Sequence, residues 1–391
     1  MKKLLDRALS LKEELIAHRR FLHQIPEIGM SLPQTKSYVK EQLEAMGYEP
    51  QEVLESGLIA TVGGKRPGKV FLLRADMDAL PMAEQSGEPF AATGDNMHAC
   101  GHDFHTSMLL GAAKLLKEKE DEIEGTVKLM FQPGEELLEG ARDMVKAGIL
   151  ENPKVDAGFA IHVNSLEPPG YFGYNKSYML ASINHVELTV TGQGGHGAMP
   201  YLGIDPINGM VQMYSALQGM LTREVNAFDP TVLTFGEFHA GNAANVIPGS
   251  GYMRGTLRSF NEESRQFIIQ RIQQIVAHEA AACRLKVEVS ISEGVPALKM
   301  DEGITDLLIG TMDQLAVGNK QIAPRKGMGS EDFAVISNLL PATFLSLGCA
   351  VKDETKRYSL HNPCLLLNED ALPYGVVAHV GMALNWLNEN K

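Results

Sequence analysis

The stretch Val70-Phe-Leu-Leu-Arg-Ala-Asp-Met-Asp-Ala-Leu-Pro81 combines an apolar run with two carboxylates that follow it directly. The run is almost continuously apolar as far as Arg74, which is typical of a strand covered on both faces. Asp76 and Asp78 would then lie at the carboxyl end of that strand, where open α/β sheets place their functional sites. Capping of a helix explains either aspartate equally well when it is taken alone. The stretch therefore predicts an α/β fold and marks one edge of its sheet.

Similar apolar runs, separated by amphipathic segments, recur towards both ends of the chain. Further strands are predicted at 58–63, 125–131, 157–161 and 342–347. Helices are predicted at 4–22, 34–46, 104–118, 139–147, 302–315 and 369–387, and Pro26 stops the first of them. This alternation predicts a mixed sheet flanked by helices.

The middle of the chain has a different character. Strands that alternate between apolar and polar residues are predicted at 184–190, 231–235, 251–257 and 285–291, with helices at 204–221 and 262–282. This β-α-β-β-α-β order predicts a ferredoxin-like α+β domain inserted into the first one. A chain of 391 residues is also long enough for two cores. We therefore expect a first domain at 1–179 and 293–391, with the inserted domain at 180–292.

Composition narrows the classes of function. Lys and Arg number 35 against 48 Asp and Glu, a net charge of −13, which argues against nucleic acid or an anionic membrane surface as a partner. We find no apolar run of the length that a membrane span requires, and the first residues lack the apolar region of a signal peptide. The four cysteines are scattered, which favours a reducing compartment. We expect a cytoplasmic protein.

Metal-binding residue types are concentrated in Asn96-Met-His-Ala-Cys-Gly-His-Asp-Phe-His105. Three imidazoles, a thiol and a carboxylate are costly to bury unpaired, and a divalent cation removes that cost. One reactive cysteine among solvated histidines is the alternative. Because an apolar helix is predicted to begin near Asp103, these residues would lie on the loop that enters it.

Further candidate donors follow other predicted strands. Glu135 and Glu136 come after the strand at 125–131, His162 after 157–161, and His361 after 342–347. On extended backbone neighbouring side chains point apart, so one glutamate could bind metal while the other faces substrate. An exposed acidic pair and a structural histidine are the alternatives when each position is considered alone. The recurrence at successive strand ends favours a shared site.

Together these donors suit a pair of divalent cations. The candidate ligands are Cys100, His102, Glu136, His162 and His361. Two dications carry about +4 and a thiolate, a carboxylate and a hydroxide return about −3, which leaves positive charge to polarise a carbonyl. Glu135 would act as the general base.

Two features of the inserted domain also suggest function. His196 lies on the glycine-rich segment 192–198 and is a candidate donor to an anionic intermediate, whereas a long hairpin would also explain the glycines. Asn245 precedes a turn, and Arg258 lies on the next strand, where a solvated face is the alternative.

Seven motifs in order resemble the metal-dependent amidohydrolases of the aminoacylase and carboxypeptidase superfamily. The nearest branch contains hippurate hydrolase, plant auxin-conjugate hydrolases and N-acetyldiaminopimelate deacetylase. The motifs are Arg19-Arg-Phe-Leu-His-Gln-Ile-Pro-Glu27, Arg74-Ala-Asp-Met-Asp-Ala-Leu-Pro81, His98-Ala-Cys-Gly-His-Asp103, Phe131-Gln-Pro-Gly-Glu-Glu136, Gly194-Gly-His-Gly-Ala198, Gly329-Ser-Glu-Asp-Phe333 and Leu360-His361.

The resemblance implies a zinc-peptidase-like catalytic domain with the ligands and the base named above. It also implies that the inserted domain is a dimerising lid, in a homodimer or a dimer-based tetramer, and that His196 reaches the partner's active site. Asn245 and Arg258 match positions that help to bind the substrate's carboxylate, which a guanidinium grips bidentately. Other branches carry His-x-Asp where this chain has Asp76-Met-Asp78, so Asp78 is expected to orient a ligand. Ser31-Leu-Pro33 replaces a segment that usually contains an acidic residue.

The expected reaction is hydrolysis of an N-acyl-L-amino acid, of N-acetyl or N-benzoyl type, by two divalent ions per subunit. Manganese or zinc is expected, with cobalt or nickel as further candidates. A dipeptidase or aminopeptidase could use the same site, and a metal-binding protein without catalysis is the rival from another class. A base beside the ligands argues against the latter. A zinc-stabilised structural domain fits poorly because the donors are not in paired cysteine clusters.

Overall fold

The apolar run at 70–76 forms the third strand of the chain. The computed structural model describes residues 1–315 and 320–391. The strands are β1 (Gln51–Val53), β2 (Gly57–Gly63), β3 (Val70–Asp76), β4 (Thr126–Gln132), β5 (Ala157–Asn164), β6 (Tyr171–Tyr174), β7 (Tyr178–Leu180), β8 (Asn184–Thr191), β9 (Gly195–His196), β10 (Thr231–Ala240), β11 (Val246–Ile247), β12 (Ser250–Ser259), β13 (Lys286–Ile291), β14 (Leu298–Lys299), β15 (Gln321–Pro324) and β16 (Ala342–Gly348). The helices are α1 (Lys2–Ser10), α2 (Lys12–His23), α3 (Pro33–Ala45), α4 (His102–Lys117), α5 (Gly140–Lys146), α6 (Pro206–Arg223), α7 (Glu262–Ala282), α8 (Glu302–Asp313), α9 (Ala334–Ser337) and α10 (Leu372–Glu389).

The described residues divide into two units. The first unit comprises Met1–Met179, Leu298–Lys326 and Glu331–Lys391. The second comprises Leu180–Ala297 and the short segment Gly327–Ser330. The second unit thus begins where the sequence places its start, ends five positions after the predicted 292, and includes a segment that the sequence assigns to the first domain.

The first unit contains an eight-stranded mixed sheet in the order β1-β2-β4-β3-β5-β16-β6-β15. Strand β3 pairs in parallel with β4 and β5, and β16 pairs in parallel with β5. The pairs β1–β2, β2–β4 and β16–β6 are antiparallel. Every residue of β3 is buried, as expected for a strand covered on both faces. The predicted α/β class with a mixed sheet is confirmed.

Helices α4 and α10 pack against each other and against the central strands β3 and β5. Helix α4 is apolar over most of its circumference, which is characteristic of a helix inside the core rather than on its surface. It begins after Gly101, whose φ of +86° is in the left-handed region, and a Cβ there would overlap Val163. Glycine at this position therefore allows the loop with Cys100 to turn directly into α4.

The prediction of one helix at 4–22 is wrong, because the chain breaks at Leu11 between α1 and α2. The Leu11 amide donates to Ala8 O, in a tighter turn than an α-helix has. The Ser10 hydroxyl donates to Arg7 O at 2.6 Å, which is the competition with helical backbone bonds that serine offers.

The second unit contains a four-stranded antiparallel sheet in the order β10-β12-β8-β13. Helices α6 and α7 pack on each other and on this sheet. The alternation of buried and exposed residues along β8 places Val186, Leu188 and Val190 in their shared core. Chain order and sheet order are those of a ferredoxin-like fold, as predicted from the sequence.

Among the described residues, none of the helices has the length and apolar character needed to cross a membrane.

Candidate metal centre

Three of the five predicted ligands follow or end strands of the first unit's sheet. Glu136 comes shortly after β4, His162 lies near the end of β5, and His361 follows β16. Cys100 and His102 flank the start of α4. Because β4, β5 and β16 run in the same direction as β3, their carboxyl ends lie along one edge of the sheet.

The structure brings all five predicted ligands together. Cys100 Sγ lies 3.4 Å from His162 Nε2 and 3.3 Å from His361 Nε2. His361 Nε2 lies 3.4 Å from Glu136 Oε1, and His102 Nε2 lies 4.0 Å from the same oxygen. Two sets of three donors made only of these five ligands fit within 4.8 Å, namely Cys100 with His102 and His162, and Cys100 with Glu136 and His361. Cys100 belongs to both sets.

Two buried atoms in this cluster show that its donors fit a cation. Within residues 1–315 and 320–391, His102 Nε2 and Glu136 Oε1 have no hydrogen-bond partner. A buried polar atom without a partner is costly, and a divalent cation would satisfy both atoms. Thiolate, imidazole and carboxylate are also the donor types that zinc and neighbouring transition metals prefer.

Backbone carbonyls orient two of the imidazoles. His102 Nδ1 lies 2.8 Å from Asp78 O, and His162 Nδ1 lies 2.8 Å from Val163 O. A carbonyl only accepts, so each Nδ1 carries the proton and each Nε2 keeps its lone pair for a metal. The bonds therefore aim both Nε2 atoms into the cluster.

His361 has a constrained backbone. Its φ of +62° lies in the left-handed region, and its N–H donates to Ala99 O at 2.8 Å. Strained backbone of this kind is concentrated at functional sites. The bond ties the loop with His361 to the loop with Cys100, although their positions in sequence are 261 apart.

Burial raises the pKa of the Cys100 thiol well above its usual value. A thiol of this kind becomes a thiolate when a cation displaces its proton. Loading of the site is therefore coupled to proton release.

Glu135 and Glu136 lie in a turn, so the sequence argument from extended backbone does not apply. Both approach His102 Nε2, at 3.9 Å for Glu135 Oε2 and 4.0 Å for Glu136 Oε1. The Asp78 carboxylate accepts the Glu135 and Glu136 amide protons at 3.0 and 3.1 Å. Asp78 thus holds the turn that contains both glutamates, and its backbone orients His102.

The turn is closed by Gly140 at the start of α5. Its amide donates to Gly134 O at 3.1 Å, and a Cβ on Gly140 would overlap Pro133 O. Only glycine permits this approach of two backbones. Burial raises the pKa of Glu135 well above its usual range, and the nearby carboxylates of Glu331 and Asp332 contribute to the rise.

Sequence reasoning gave no role to a buried polar cluster around Arg74. Its guanidinium donates to Asp76, Gln132, Glu331 and Asp332 at 2.6 to 2.9 Å. Burial raises the pKa of Asp332 to about 7, against the opposing effect of Arg74. The sequence did contain a signal for this cluster. Arg74 is a single arginine at the end of an apolar strand, and Glu331 and Asp332 form an acidic pair that could neutralise it.

His105 was also missed as a supporting residue. Its Nδ1 bonds Asp76 Oδ1 at 2.5 Å, and its Nε2 accepts the Val163 amide proton at 2.9 Å. The ring lies against that of His162, with centroids 4.6 Å apart. Asp76 therefore bridges Arg74 and His105, and His105 in turn packs against the predicted ligand His162.

Two other residues of the segment 96–105, Asp103 and His98, do not belong to the ligand cluster. Asp103 accepts from Arg19 Nε at 2.9 Å and lies 2.7 Å from His23 Nδ1. Burial raises the pKa of Asp103, but the charges of Arg19 and His23 outweigh it and hold the pKa well below its usual value. His98 is buried, and neither ring nitrogen has a hydrogen-bond partner among the described residues. Burial lowers the pKa of His98 to about 3.

The remaining predicted residues, His196, Asn245 and Arg258, belong to the second unit. His196 is exposed on β9, and its Nδ1 accepts the Ala198 amide proton at 3.1 Å. Asn245 O accepts the Gly197 amide proton at 2.8 Å, so Asn245 is adjacent to the segment that contains His196. Arg258 donates through Nη1 to Met328 O and Ser330 Oγ, both at 2.9 Å.

Comparison with known proteins gives consistent matches over nearly the whole chain. The family model described as peptidase family M20/M25/M40 matches residues 72–385. N-acetyl-L-cysteine deacetylase of Bacillus subtilis (strain 168) is 35% identical over 93% of this chain and 86% of that protein. IAA-amino acid hydrolase ILR1-like 4 of Arabidopsis thaliana is 37% identical over 96% of this chain and 86% of that protein. A solved Bacillus subtilis structure, described as a dinuclear metal binding peptidase from the M20 family, has a TM-score of 0.83 at 31% identity, covering 98% of this chain and 99% of its own.

Proposed function

The chain belongs to peptidase family M20/M25/M40, and we propose that it is a metal-dependent hydrolase that cleaves the amide bond of N-acyl amino acids. The products are a carboxylic acid and a free amino acid. The observation that carries this proposal is the convergence of five metal-binding side chains beside the buried carboxylate of Glu135. The names of the deacetylase and the amino acid hydrolase described above support the same substrate class.

Two divalent cations are proposed, one held by Cys100, His102 and His162 and the other by Cys100, Glu136 and His361. When bound, they would polarise the amide carbonyl and lower the pKa of water. Thiolate and imidazole favour zinc, the Glu136 carboxylate also suits manganese, and cobalt and nickel are the further candidates. Asp78 and Val163 keep the imidazoles oriented through their backbone oxygens.

Glu135 is the proposed general base. Its carboxylate takes a proton from the attacking water and delivers it to the amide nitrogen as the C–N bond breaks. The raised pKa of Glu135 suits this exchange, because a base must also be able to act as the acid that protonates the leaving group.

Residues of the second unit are proposed to bind the substrate. His196, with Nε2 on an exposed loop, would donate to the anionic tetrahedral intermediate. Arg258 uses Nη1 to hold Met328 and Ser330, and its Nε and Nη2 groups are the donors proposed for the substrate's carboxylate. Asn245 is proposed as a second residue that binds this carboxylate.

A homodimer, or a tetramer built from such dimers, is proposed to form through the second unit. Ile207, Val211 and Tyr214 are exposed at i, i+4 and i+7 on α6, so they share one apolar face. Strand β10 is at the edge of its sheet and exposes Val232 and Phe238. The cytoplasmic location expected from the sequence stays a prediction.

The reaction is tested with metal-free protein and a panel of substrates. Chelator-treated protein should lose hydrolysis of N-acetyl and N-benzoyl amino acids and regain it with manganese or zinc. Preferential cleavage of dipeptides would support the peptidase alternative, and failure to cleave any amide would support metal binding without catalysis. Activity that is indifferent to chelation would contradict the proposal.

Glu135→Gln tests the base. It should keep the bound metal and lose about 10²- to 10⁴-fold in kcat. Glu139→Gln is the matched control, because Glu139 is an exposed glutamate on the same loop. Full activity of Glu135→Gln would refute the assignment.

Subunit mixing tests the role of His196. Inactive His196→Ala and Glu135→Gln chains, mixed and allowed to exchange, should recover activity if His196 acts across the dimer. The absence of recovery in a verified mixed dimer would show that it acts within its own chain.

A further inference from the structure

Asp332 is fully buried, and hydrogen-bond donors surround its carboxylate. Gln132 Nε2 donates to both oxygens, at 2.8 Å to Oδ1 and 2.7 Å to Oδ2. Arg74 Nη2 donates to Oδ1, and the Ala141 amide at the start of α5 donates to Oδ2, each at 2.8 Å. We call these three donors, Arg74, Gln132 and Ala141, the Asp332 clamp. They join β3, β4 and α5 to the chain at Asp332.

The clamp fixes the backbone of Asp332 as well as its side chain. The Asp332 amide points at Glu135 Oε1, with nitrogen and oxygen 3.4 Å apart. The other oxygen of Glu135, Oε2, lies 3.9 Å from His102 Nε2. One oxygen of Glu135 thus faces the metal centre, and the other faces the amide of Asp332.

We propose that Asp332 is a positioning residue that holds the Glu135 carboxylate in place for proton transfer. The inference rests on the function proposed above, in which Glu135 is the base. Asp332 itself does not touch substrate in this proposal and acts through its amide. Catalysis depends on such placement, because a misplacement of about 1 Å can cost on the order of 100-fold in rate.

The clamp requires a carboxylate rather than an amide at 332. A carboxylate only accepts, and Oδ1 and Oδ2 each face a different fixed donor, Arg74 Nη2 and the Ala141 amide. In Asp332→Asn the side chain has one oxygen and one NH₂ group, so one of these donors would face another donor. The residue would shift to relieve that contact, and its amide would move away from Glu135.

The adjacent Glu331 provides a control of equal charge. Its Oε1 accepts from Arg74 Nη2 at 2.8 Å and from the Phe333 amide at 3.0 Å. Its Oε2 is buried and has no hydrogen-bond partner in the described part of the chain. Glu331→Gln can therefore keep both bonds through its remaining oxygen, and the NH₂ group takes the place of the unpartnered oxygen. It removes the same charge as Asp332→Asn and leaves the clamp intact.

The experiment compares Asp332→Asn, Glu331→Gln and the wild type as metal-loaded protein. Assays at about pH 8 keep Asp332 ionised in the wild type, given its pKa of about 7. Metal content is measured by mass spectrometry and folding by circular dichroism. Asp332→Asn should lose on the order of 100-fold in kcat with KM and metal content unchanged. The loss of kcat in Glu331→Gln should be at least tenfold smaller, because the inference attributes the loss to a change in position and not to a change in charge.

Two outcomes would overturn the inference. Wild-type kcat in folded, metal-loaded Asp332→Asn would show that the clamp does not position Glu135. Equal losses of kcat in Asp332→Asn and Glu331→Gln would show that charge, rather than position, matters.

If Asp332→Asn fails to fold, Gln132→Leu replaces it. This variant removes the Gln132 donor and also the acceptor of Arg74 Nε, whereas Arg74 Nη2 and the Ala141 amide still face Asp332, so it should lower kcat by about tenfold with KM unchanged. A wild-type kcat in Gln132→Leu would then overturn the inference. Glu135→Gln distinguishes a failure of the proposed base from a failure of the positioning role of Asp332. An active Glu135→Gln refutes the base itself, whereas an inactive Glu135→Gln beside a fully active Asp332→Asn refutes only the positioning role.

Discussion

Replacing Asp78 with asparagine should weaken metal binding without removing any metal ligand. Asp78 is buried, and its two oxygens accept the amide protons of Glu135 and Glu136 at 3.0 and 3.1 Å. Asparagine has the same shape but offers one oxygen and one NH₂ group. One of the two amides would therefore face a donor, and the turn that contains Glu136 would lose an anchor.

The magnitude follows from these two contacts. A hydrogen bond to a charged group contributes about 1.5–3 kcal/mol, and a buried amide left without an acceptor costs about 1–3 kcal/mol more. The total is about 2.5–6 kcal/mol, shared between overall stability and the order of the turn. Loss of a residue that orients metal ligands typically costs about 10- to 100-fold in metal affinity, and we expect that range for Asp78→Asn.

The assay is competition for zinc or manganese between the protein and a chelator of known affinity. Asp156→Asn is the control, because Asp156 also accepts a backbone amide proton, from Val70 at 2.9 Å, at the opposite end of β3. Asp156→Asn should lower stability and leave metal affinity unchanged. Equal metal affinity of Asp78→Asn and the wild type would refute the orienting role of Asp78.

Three further outcomes are expected. Cys100→Ser should lose both cations and all hydrolysis, because Cys100 belongs to both donor sets; a variant that keeps two ions by mass spectrometry would contradict this. Burial lowers the pKa of His379 from 6.5 to about 3, so between these values the unfolded chain binds a proton that the folded chain does not. Stability should therefore fall as pH decreases across that window, with His379 contributing about 1.4 kcal/mol per pH unit, and urea unfolding of His379→Leu should show a shallower dependence on pH. Gly101→Ala should destabilise the protein and weaken metal binding more than Gly87→Ala, which shares a positive φ but has open space for its Cβ; equal effects would show that overlap with Val163 is unimportant.

The sheet and its edge were predictable because they depend on local patterns. The apolar run of β3 and the polar residues after it are adjacent in sequence, and parallel strands place their carboxyl ends together. The short strand β15 at one edge of the sheet and its neighbour β6 were missed, since four residues with a glycine or a proline carry too little periodicity. The break at Leu11 was missed because Ser10 bonds backbone atoms without interrupting the apolar pattern.

The roles of Asp76 and Asp78 could not be decided from the sequence, because capping and metal binding use the same side chain. The structure gives them separate partners, Arg74 and His105 for Asp76 and backbone amides for Asp78. Asp332 lies 200 positions from its partner Gln132. Pairing at that distance depends on the tertiary fold, which no local pattern encodes.

The most direct test of the metal centre is the anomalous scattering of crystals loaded with zinc or manganese. We expect two peaks, one in contact with Cys100, His102 and His162 and the other with Cys100, Glu136 and His361. Peaks elsewhere, or none in a protein that hydrolyses N-acyl amino acids, would contradict the proposed centre.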